Sequence, residues 1–213
     1  MSRDAIVYVH GLWLTGWEAL LLRRRIEGEL GIGVQVFRYA SVSSSMAQIT
    51  TRLQEFVQRL APARLHLVGH SLGGLVIYRL LERFPQQPPG RAVFLGSPAV
   101  ASLAARNASR MRWAAALMGK GIAEELLAER RRTWTFARPL GLIAGSHPAG
   151  LGRFLAHFDE PSDGTVAVSE TRLPGAAAHI TLPVSHMGML LSARVAREVS
   201  AFLRAGHFTV PEK

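Results

Sequence analysis

The alternation of short apolar runs with amphipathic segments is the feature that most constrains the fold. Six apolar runs predict strands at residues 5–9, 34–40, 64–69, 92–96, 140–145 and 179–184. The spacing of apolar residues between and after these runs predicts helices at 16–30, 44–60, 72–84 and 188–205. Strands that are apolar along their whole length are typical of a parallel sheet covered by helices. We therefore expect an α/β fold with a doubly wound, mostly parallel sheet of about six strands and helices on both faces.

One segment interrupts this alternation. Residues 98–135 occupy a place where a single helix would suffice, and we expect one or two helices there that form a cap or a long crossover. The chain contains no internal repeat and no linker-like stretch, so residues 1–213 are predicted to be a single domain. A serine at position 44 or 45 is positioned to cap the second helix.

The chain is basic, with a formal net charge of +10. Arginines cluster at 23–25, at 106, 110 and 112, and at 130–132. A basic surface can bind nucleic acid, an anionic membrane or an acidic substrate. The clusters match no nucleic-acid-binding module, so we expect no nucleic-acid partner. They are predicted to be either a solvated surface or a weak peripheral contact with an anionic membrane.

Several classes of protein are disfavoured by what the sequence lacks. There is no cysteine, which excludes disulfides and thiolate chemistry. No apolar run is long enough to span a bilayer, and the N-terminus lacks the apolar core of a signal peptide. These patterns predict a cytoplasmic or peripherally membrane-bound protein; its oligomeric state is not indicated.

The stretch "LHLVGHSLGG" places Ser71 between a predicted strand and a predicted helix. A serine flanked as G-x-S-x-G at such a junction is typical of a nucleophile elbow, with His70 inside the motif. Gly69 and Gly73 are expected where side chains would collide across the tight turn. The amide of Leu72 opens the helix and is a candidate donor to an oxyanion.

A serine nucleophile needs a base, and the base needs an orienting acid, from the carboxyl ends of other strands. His186 follows the last predicted strand and is the candidate base. Asp163 is the candidate acid in a loop that also holds Asp159 and Glu160. We favour Asp163 because the following glycine permits a sharp turn, whereas Pro161 restricts the backbone of Glu160.

The loop after the first strand, "HGLWLTGW", is predicted to supply a second oxyanion donor, the amide of Leu12. His10 and Gly11 are expected to support this loop, His10 by hydrogen bonds. The remaining histidines show no metal-ligand spacing, and we expect neither a metal nor another cofactor.

The chain resembles the α/β-hydrolase superfamily, and within it the compact bacterial lipases and esterases. The motifs "HGLWLTGW", "VGHSLGGLV", "LGSPAVAS", "SDGTV" and "SHMGML" occur in the order of that family. The resemblance implies a minimal version of the fold that lacks the first two strands of larger members. It also implies a nucleophile at Ser71, an acid at Asp163, a base at His186, and oxyanion amides on Leu12 and Leu72.

These residues lead to three hypotheses. The first is a serine hydrolase that cleaves small-molecule or lipid carboxylic esters through an acyl-enzyme, without a cofactor. The second is an acyltransferase or thioesterase with the same residues, since all three activities share the acyl-enzyme. The third is a non-catalytic binding protein built on a hydrolase fold. Neither the natural substrate nor the acyl length is indicated by the sequence.

Overall fold

A computed structural model describes residues 4–99, 132–149 and 159–209. These residues form a parallel sheet of six strands in the order β2-β1-β3-β4-β5-β6. The strands are β1 (Asp4–Val9), β2 (Val34–Phe37), β3 (Arg64–His70), β4 (Ala92–Leu95), β5 (Leu140–Gly145) and β6 (Ala178–Leu182). The predicted parallel α/β sheet is confirmed.

Four α-helices of the described ranges cover the two faces of this sheet. They are α1 (Leu20–Leu30), α2 (Met46–Leu60), α3 (Leu72–Arg83) and α4 (Ala193–Ala205). Helices α1 and α4 pack on one face, and α2 and α3 on the other. Alternate side chains of each strand supply the two cores, as in β1, where Ile6 faces α1 and Val7 faces α2.

The strand order determines where a ligand site can form. The chain runs from β1 outward to β2, and then returns to place β3 on the other side of β1. This reversal is a topological switch point, and open α/β sheets bind ligands at the carboxyl ends of the strands beside it. The loops after Val9 and after His70 flank this point.

Three predicted boundaries are wrong by three residues or more. The first helix begins at Leu20 rather than at residue 16, because residues 16–19 form a turn in which the Leu20 amide donates to Trp17 O at 3.1 Å. Strand β2 ends at Phe37, where its pairing with Val9 ends. The last helix is preceded by the 3₁₀ turn Gly188–Leu190 and begins at Ala193, because Ser192 caps it by accepting from the Val195 amide.

Ser45, one of the two candidate caps, begins α2. Its hydroxyl accepts from the Gln48 amide at 3.3 Å, and the Gln48 side chain accepts from the Ser45 amide at 2.9 Å. This reciprocal pair is a capping box, which satisfies two amides that a helix end leaves unpaired. Within the described ranges, no helix combines the length and apolarity needed to cross a bilayer.

The cap or crossover expected at 98–135 falls mainly on residues 100–131, which lie outside the described residues, as do the arginines at 106, 110, 112, 130 and 131. Arg132 is described, and it is not part of a solvated surface. It is buried, and its guanidinium donates to Ala99 O at 3.1 Å. The prediction of an exposed cluster is therefore wrong at this residue.

Candidate active site

Ser71 occupies a strained turn between β3 and α3. Its backbone has φ 54° and ψ −123°, a conformation that costs a non-glycine residue about 1–3 kcal/mol. Its amide donates to Leu95 O at 2.9 Å, which anchors the turn to the end of β4. The residue is half-buried, whereas the whole first turn of α3 behind it is buried. The fold thus holds one hydroxyl at the carboxyl edge of the sheet at an energetic cost.

The glycines around Ser71 are required by close backbone approaches. A Cβ atom on Gly69 would lie 2.6 Å from the amide nitrogen of Gly74. The tight turn therefore requires a residue without a side chain at position 69, as expected. A Cβ on Gly73 would lie 2.0 Å from Val9 O. The expected collision at Gly73 is therefore with strand β1 and not across the turn. Both glycines let α3 begin directly against the sheet.

Asp163 and His186 are brought into direct contact. His186 Nδ1 lies 2.7 Å from Asp163 Oδ2, and the amide of His186 donates to Asp163 O at 2.9 Å. The other carboxylate oxygen, Oδ1, accepts from the amides of Thr165 at 2.8 Å and Val166 at 2.7 Å. Asp163 is fully buried, and these amides replace the water that it has lost.

This arrangement determines which nitrogen of the neutral His186 imidazole carries the hydrogen. An ionised carboxylate can only accept, so Nδ1 of His186 carries the hydrogen and donates it to Asp163. In the neutral ring, Nε2 then has a lone pair and can accept a proton. The buried carboxylate also fixes the ring plane. An imidazole held in this tautomer is suited to act as a general base.

Two contacts join His186 to residues that neighbour Ser71. The imidazole lies against Gly96, the residue after Leu95, whose carbonyl holds the Ser71 amide. His70 is the residue before Ser71. Its Nε2 atom lies 3.1 Å from His186 O, and the centroids of the two imidazole rings are 4.7 Å apart. Ser71 and His186 therefore lie in neighbouring segments at the carboxyl end of β4.

His70 is fully buried between these groups. Burial lowers the pKa of His70 well below the usual value, and the neighbouring His186 lowers it further. A neutral His70 must carry its hydrogen on Nε2 to donate to the carbonyl of His186. It therefore supports the loop of His186 without adding a charge next to it.

The candidate oxyanion donors belong to two segments that adjoin Ser71. A Cβ on Gly11 would lie 3.0 Å from the Cβ of Ser71, so the loop after β1 packs directly on this residue. In that loop, Trp13 N donates to Ser41 Oγ at 3.0 Å and Leu14 N to Gly11 O at 3.4 Å. Within the described ranges the amide of Leu12 has no acceptor.

The amide of Leu72 is the first of α3. It has no carbonyl partner inside the helix, and the positive end of the helix dipole adds to its donor character. The two amides thus lie in segments that contact Ser71 from the β1 side and from its own helix. Such a pair of backbone donors can stabilise a negative oxygen.

His10 supports the loop after β1 from within the core. Its Nδ1 lies 2.8 Å from Gly11 O, its Nε2 accepts from the Tyr39 amide at 3.3 Å, and its ring stacks on that of Tyr39 at 4.2 Å. The Tyr39 hydroxyl donates to His10 O at 2.7 Å. Burial lowers the pKa of His10, so the ring is neutral and has both nitrogens engaged.

The two other carboxylates of the acid loop lie elsewhere. Asp159 and Glu160 are exposed, and Glu160 accepts from Ser169 Oγ at 2.5 Å. Asp163 alone among these three is hydrogen-bonded to His186 in the described structure. Gly164, at φ 92°, provides the sharp turn that brings the two amides back to the carboxylate.

Two glycines of the site were not predicted from the sequence. A Cβ on Gly96 would lie 2.8 Å from Asp163 Oδ2 and 3.1 Å from His186 Nδ1. A Cβ on Gly145, at the end of β5, would lie 2.7 Å from the Cβ of Asp163 and 2.4 Å from Val184 O. Each glycine follows or ends an apolar strand, which is the signal that could have drawn attention to them.

A parallel sheet in this strand order, with a strained serine in the turn after β3, is typical of the α/β-hydrolase fold. A model of the alpha/beta hydrolase family matches residues 6–211, and the chain belongs to that family. No curated protein matches the sequence significantly.

Solved structures with the same fold include lipases, esterases and other hydrolases. The mature form of the lipase BlEst2 from Bacillus licheniformis is 18% identical, with a TM-score of 0.68 over 96% of this chain and 92% of that one. A hydrolase from Pseudomonas aeruginosa is 19% identical, with a TM-score of 0.61 over 93% and 88%. The carboxylesterase CesB from Bacillus subtilis is 14% identical, with a TM-score of 0.58 over 96% and 85%. At these identities the likeness concerns the fold.

Proposed function

We propose that the protein is a serine hydrolase that cleaves carboxylic esters through an acyl-enzyme on Ser71. The observation that carries this proposal is the hydrogen bond between His186 Nδ1 and the buried carboxylate of Asp163, at 2.7 Å. A solvated histidine needs no such partner. A histidine that must accept a proton from a neighbouring hydroxyl needs both the tautomer and the orientation that this bond imposes.

The first half of the reaction forms the acyl-enzyme. His186 Nε2 takes the proton from Ser71 Oγ as this oxygen attacks the ester carbonyl. The carbonyl oxygen becomes negative and is held by the amides of Leu12 and Leu72. The imidazolium, stabilised by Asp163, then protonates the leaving alkoxide, and the alcohol departs.

The second half regenerates the enzyme. A water molecule gives a proton to His186 Nε2 and attacks the acyl carbonyl. The tetrahedral intermediate collapses, Ser71 Oγ leaves and recovers its proton from His186, and the carboxylic acid is released. The imidazole of His186 accepts and returns every proton in both halves of the reaction. The two steps therefore balance without a metal or a cofactor.

The first experiment is hydrolysis of p-nitrophenyl butyrate by the purified protein and by Ser71→Ala. Loss of the attacking oxygen should lower kcat at least about 10³-fold, as for other serine hydrolases, while the fold survives. A Ser71→Ala variant that keeps the wild-type rate would exclude this mechanism, whereas a wild-type protein that does not hydrolyse the ester would favour the binding-protein alternative.

An acyltransferase and a thioesterase remain alternatives because they share the first half-reaction. They are separated by the fate of the acyl group. Added methanol should yield little methyl ester if water is the natural acceptor, and acyl-CoA should be cleaved more slowly than an aryl ester. Preferential cleavage of acyl-CoA, or a dominant methyl ester product at low methanol, would assign the protein to one of the alternatives.

A further inference from the structure

The large apolar side chains exposed in the described ranges are confined to one end of the molecule. All of them follow the carboxyl end of a strand, either in the adjoining loop or in the first turn of the next helix. We call this set the rim; it consists of Trp13, Trp17, Leu21, Val42, Met187 and Leu191. Single exposed apolar residues are ordinary, but an exposed group confined to one edge is not.

The first half of the rim is continuous along the β1 loop and α1. Trp17 lies in the turn that precedes α1, and Leu21 lies in the first turn of this helix. Their exposed fractions are 63% and 41%. Trp13, exposed by 58%, donates through its amide to Ser41, the neighbour of Val42.

The second half of the rim reaches the catalytic histidine proposed above. Arg25, one turn after Leu21 in α1, donates to the carbonyl of Leu191 at 2.5 Å. Leu191 is exposed by 60% and follows the 3₁₀ turn that begins after Met187. Met187 is the residue after His186. The rim therefore runs from the loop beside Ser71 to the loop that carries His186.

Positive charge is interleaved with these apolar side chains. Arg38 lies over the ring of Trp17 at 5.0 Å, and Arg24 is exposed in the first turns of α1 next to Arg25. Glu18, the carboxylate within this part of the chain, is engaged by the amides of Thr15 at 3.2 Å and Gly16 at 2.8 Å. The rim thus presents tryptophans and leucines with arginines among them.

We infer that the rim docks the protein on the surface of an anionic bilayer, with the carboxyl edge of the sheet facing the lipid. Tryptophan is favoured at the boundary between headgroups and acyl chains, since its ring is apolar and its N–H is polar. Arginines at the same level are attracted to anionic headgroups. A bilayer is the occupant that satisfies both features; a purely apolar protein partner would leave the guanidinium groups without counter-charges.

Docking in this orientation has a consequence for substrate supply, which rests on the proposed function. An ester carbonyl at the headgroup level would then face the edge of the sheet that carries Ser71. The docking itself does not require the chemistry. Ser71→Ala should therefore bind vesicles as the wild type does, so that failure of the hydrolase proposal and failure of docking are distinguishable.

The test is co-sedimentation with vesicles of phosphatidylcholine containing about 30% phosphatidylglycerol, compared with vesicles of phosphatidylcholine alone. The wild-type protein should have a higher partition coefficient for the anionic vesicles than for the vesicles of phosphatidylcholine alone. Trp17→Ser and Leu191→Ser, which change exposed side chains, should each lower the partition coefficient about tenfold. Arg24→Gln should lower it about fivefold.

Arg59→Gln is the matched charge control. Arg59 is exposed in the last turn of α2, and this helix ends at the edge of the sheet opposite to the rim. Its loss should change the partition coefficient less than twofold. Equal losses for Arg24→Gln and Arg59→Gln would show attraction by net charge only and overturn the proposal.

Two further results would also overturn it. One is unchanged binding of both Trp17→Ser and Leu191→Ser, with thermal unfolding showing that each variant is folded. The other is self-association in sedimentation equilibrium that Trp17→Ser abolishes, without binding to either kind of vesicle. That outcome would assign the rim to an interface between copies of the chain.

Discussion

Gly96→Ala adds one carbon atom at the point where the candidate acid and base meet. The residue has φ 53°, a left-handed conformation that costs alanine about 1–2 kcal/mol more than glycine. The new Cβ would lie 2.8 Å from Asp163 Oδ2 and 3.1 Å from His186 Nδ1. To restore ordinary contacts of 3.4 Å, the carboxylate and the ring must retreat by roughly 0.6 and 0.3 Å.

This displacement should affect catalysis more than stability. The carboxylate is held from behind by the amides of Thr165 and Val166, so the retreat lengthens or bends its bond to His186. A misplacement of about 1 Å in an active site can cost about 10²-fold in rate, and complete loss of the orienting acid costs about 10⁴-fold in the best-studied serine protease. We expect kcat to fall by about 10²-fold.

The assay is steady-state hydrolysis of p-nitrophenyl butyrate, with a thermal melt of the same sample. The backbone strain should lower Tm by about 2–4 °C for each kcal/mol in a chain of this size, so the variant stays folded at 25 °C. Gly28→Ala is the matched control. A Cβ on Gly28 has no neighbour within 4 Å, and the change within α1 should be stabilising by about 0.5–1 kcal/mol. A Gly96→Ala enzyme with wild-type kcat would refute the geometry assigned to the acid and the base.

Three other predictions concern single side chains. Asp163→Asn should lower kcat by orders of magnitude in the same ester assay. Asp159→Asn and Glu160→Gln change exposed side chains and should keep kcat within about tenfold of the wild type. A large loss of kcat in Asp159→Asn would instead assign the role of the acid to that residue. His70→Phe leaves the carbonyl of His186 without its donor and should lower kcat, with partial rescue in His70→Gln; equal rates for the two variants would contradict this role. Burial, then the neighbouring arginines, lower the pKa of His66 to about 4, so the unfolded chain binds the extra proton between that value and 6.5. Stability should therefore be lost as pH falls through this window, by at most about 3 kcal/mol from this group, and urea titrations should show a shallower loss in His66→Gln.

The sequence predicted the sheet and the position of Ser71 because their signals are local. Apolar runs of the right length identify strands, and a strand followed by G-x-S-x-G and a helical segment identifies an elbow. The structure places Ser71 at such a turn with the unusual φ that the motif suggests. The order of the strands adds that the loops after β1 and β3 lie side by side.

Contacts between distant segments could not be predicted in the same way. Gly96 looks like the end of a strand, and only the folded chain brings its Cα against a carboxylate from residue 163 and a ring from residue 186. The contact between His10 and Tyr39 depends on where β2 ends, and the apolar pattern predicts a strand that continues past this point. Arg132 was grouped with its charged neighbours, but a carbonyl acceptor on Ala99 allows it to be buried.

The most direct test of the proposed mechanism is covalent labelling of the purified protein with a fluorophosphonate, followed by intact mass spectrometry and peptide mapping. An activated serine reacts with this electrophile, whereas an ordinary serine hydroxyl does not. We predict one adduct per chain on Ser71, none in Ser71→Ala, and a labelling rate in Asp163→Asn lowered by orders of magnitude. A wild-type protein that remains unlabelled, or that carries the adduct on another residue, would contradict the assignment of Ser71 as the nucleophile.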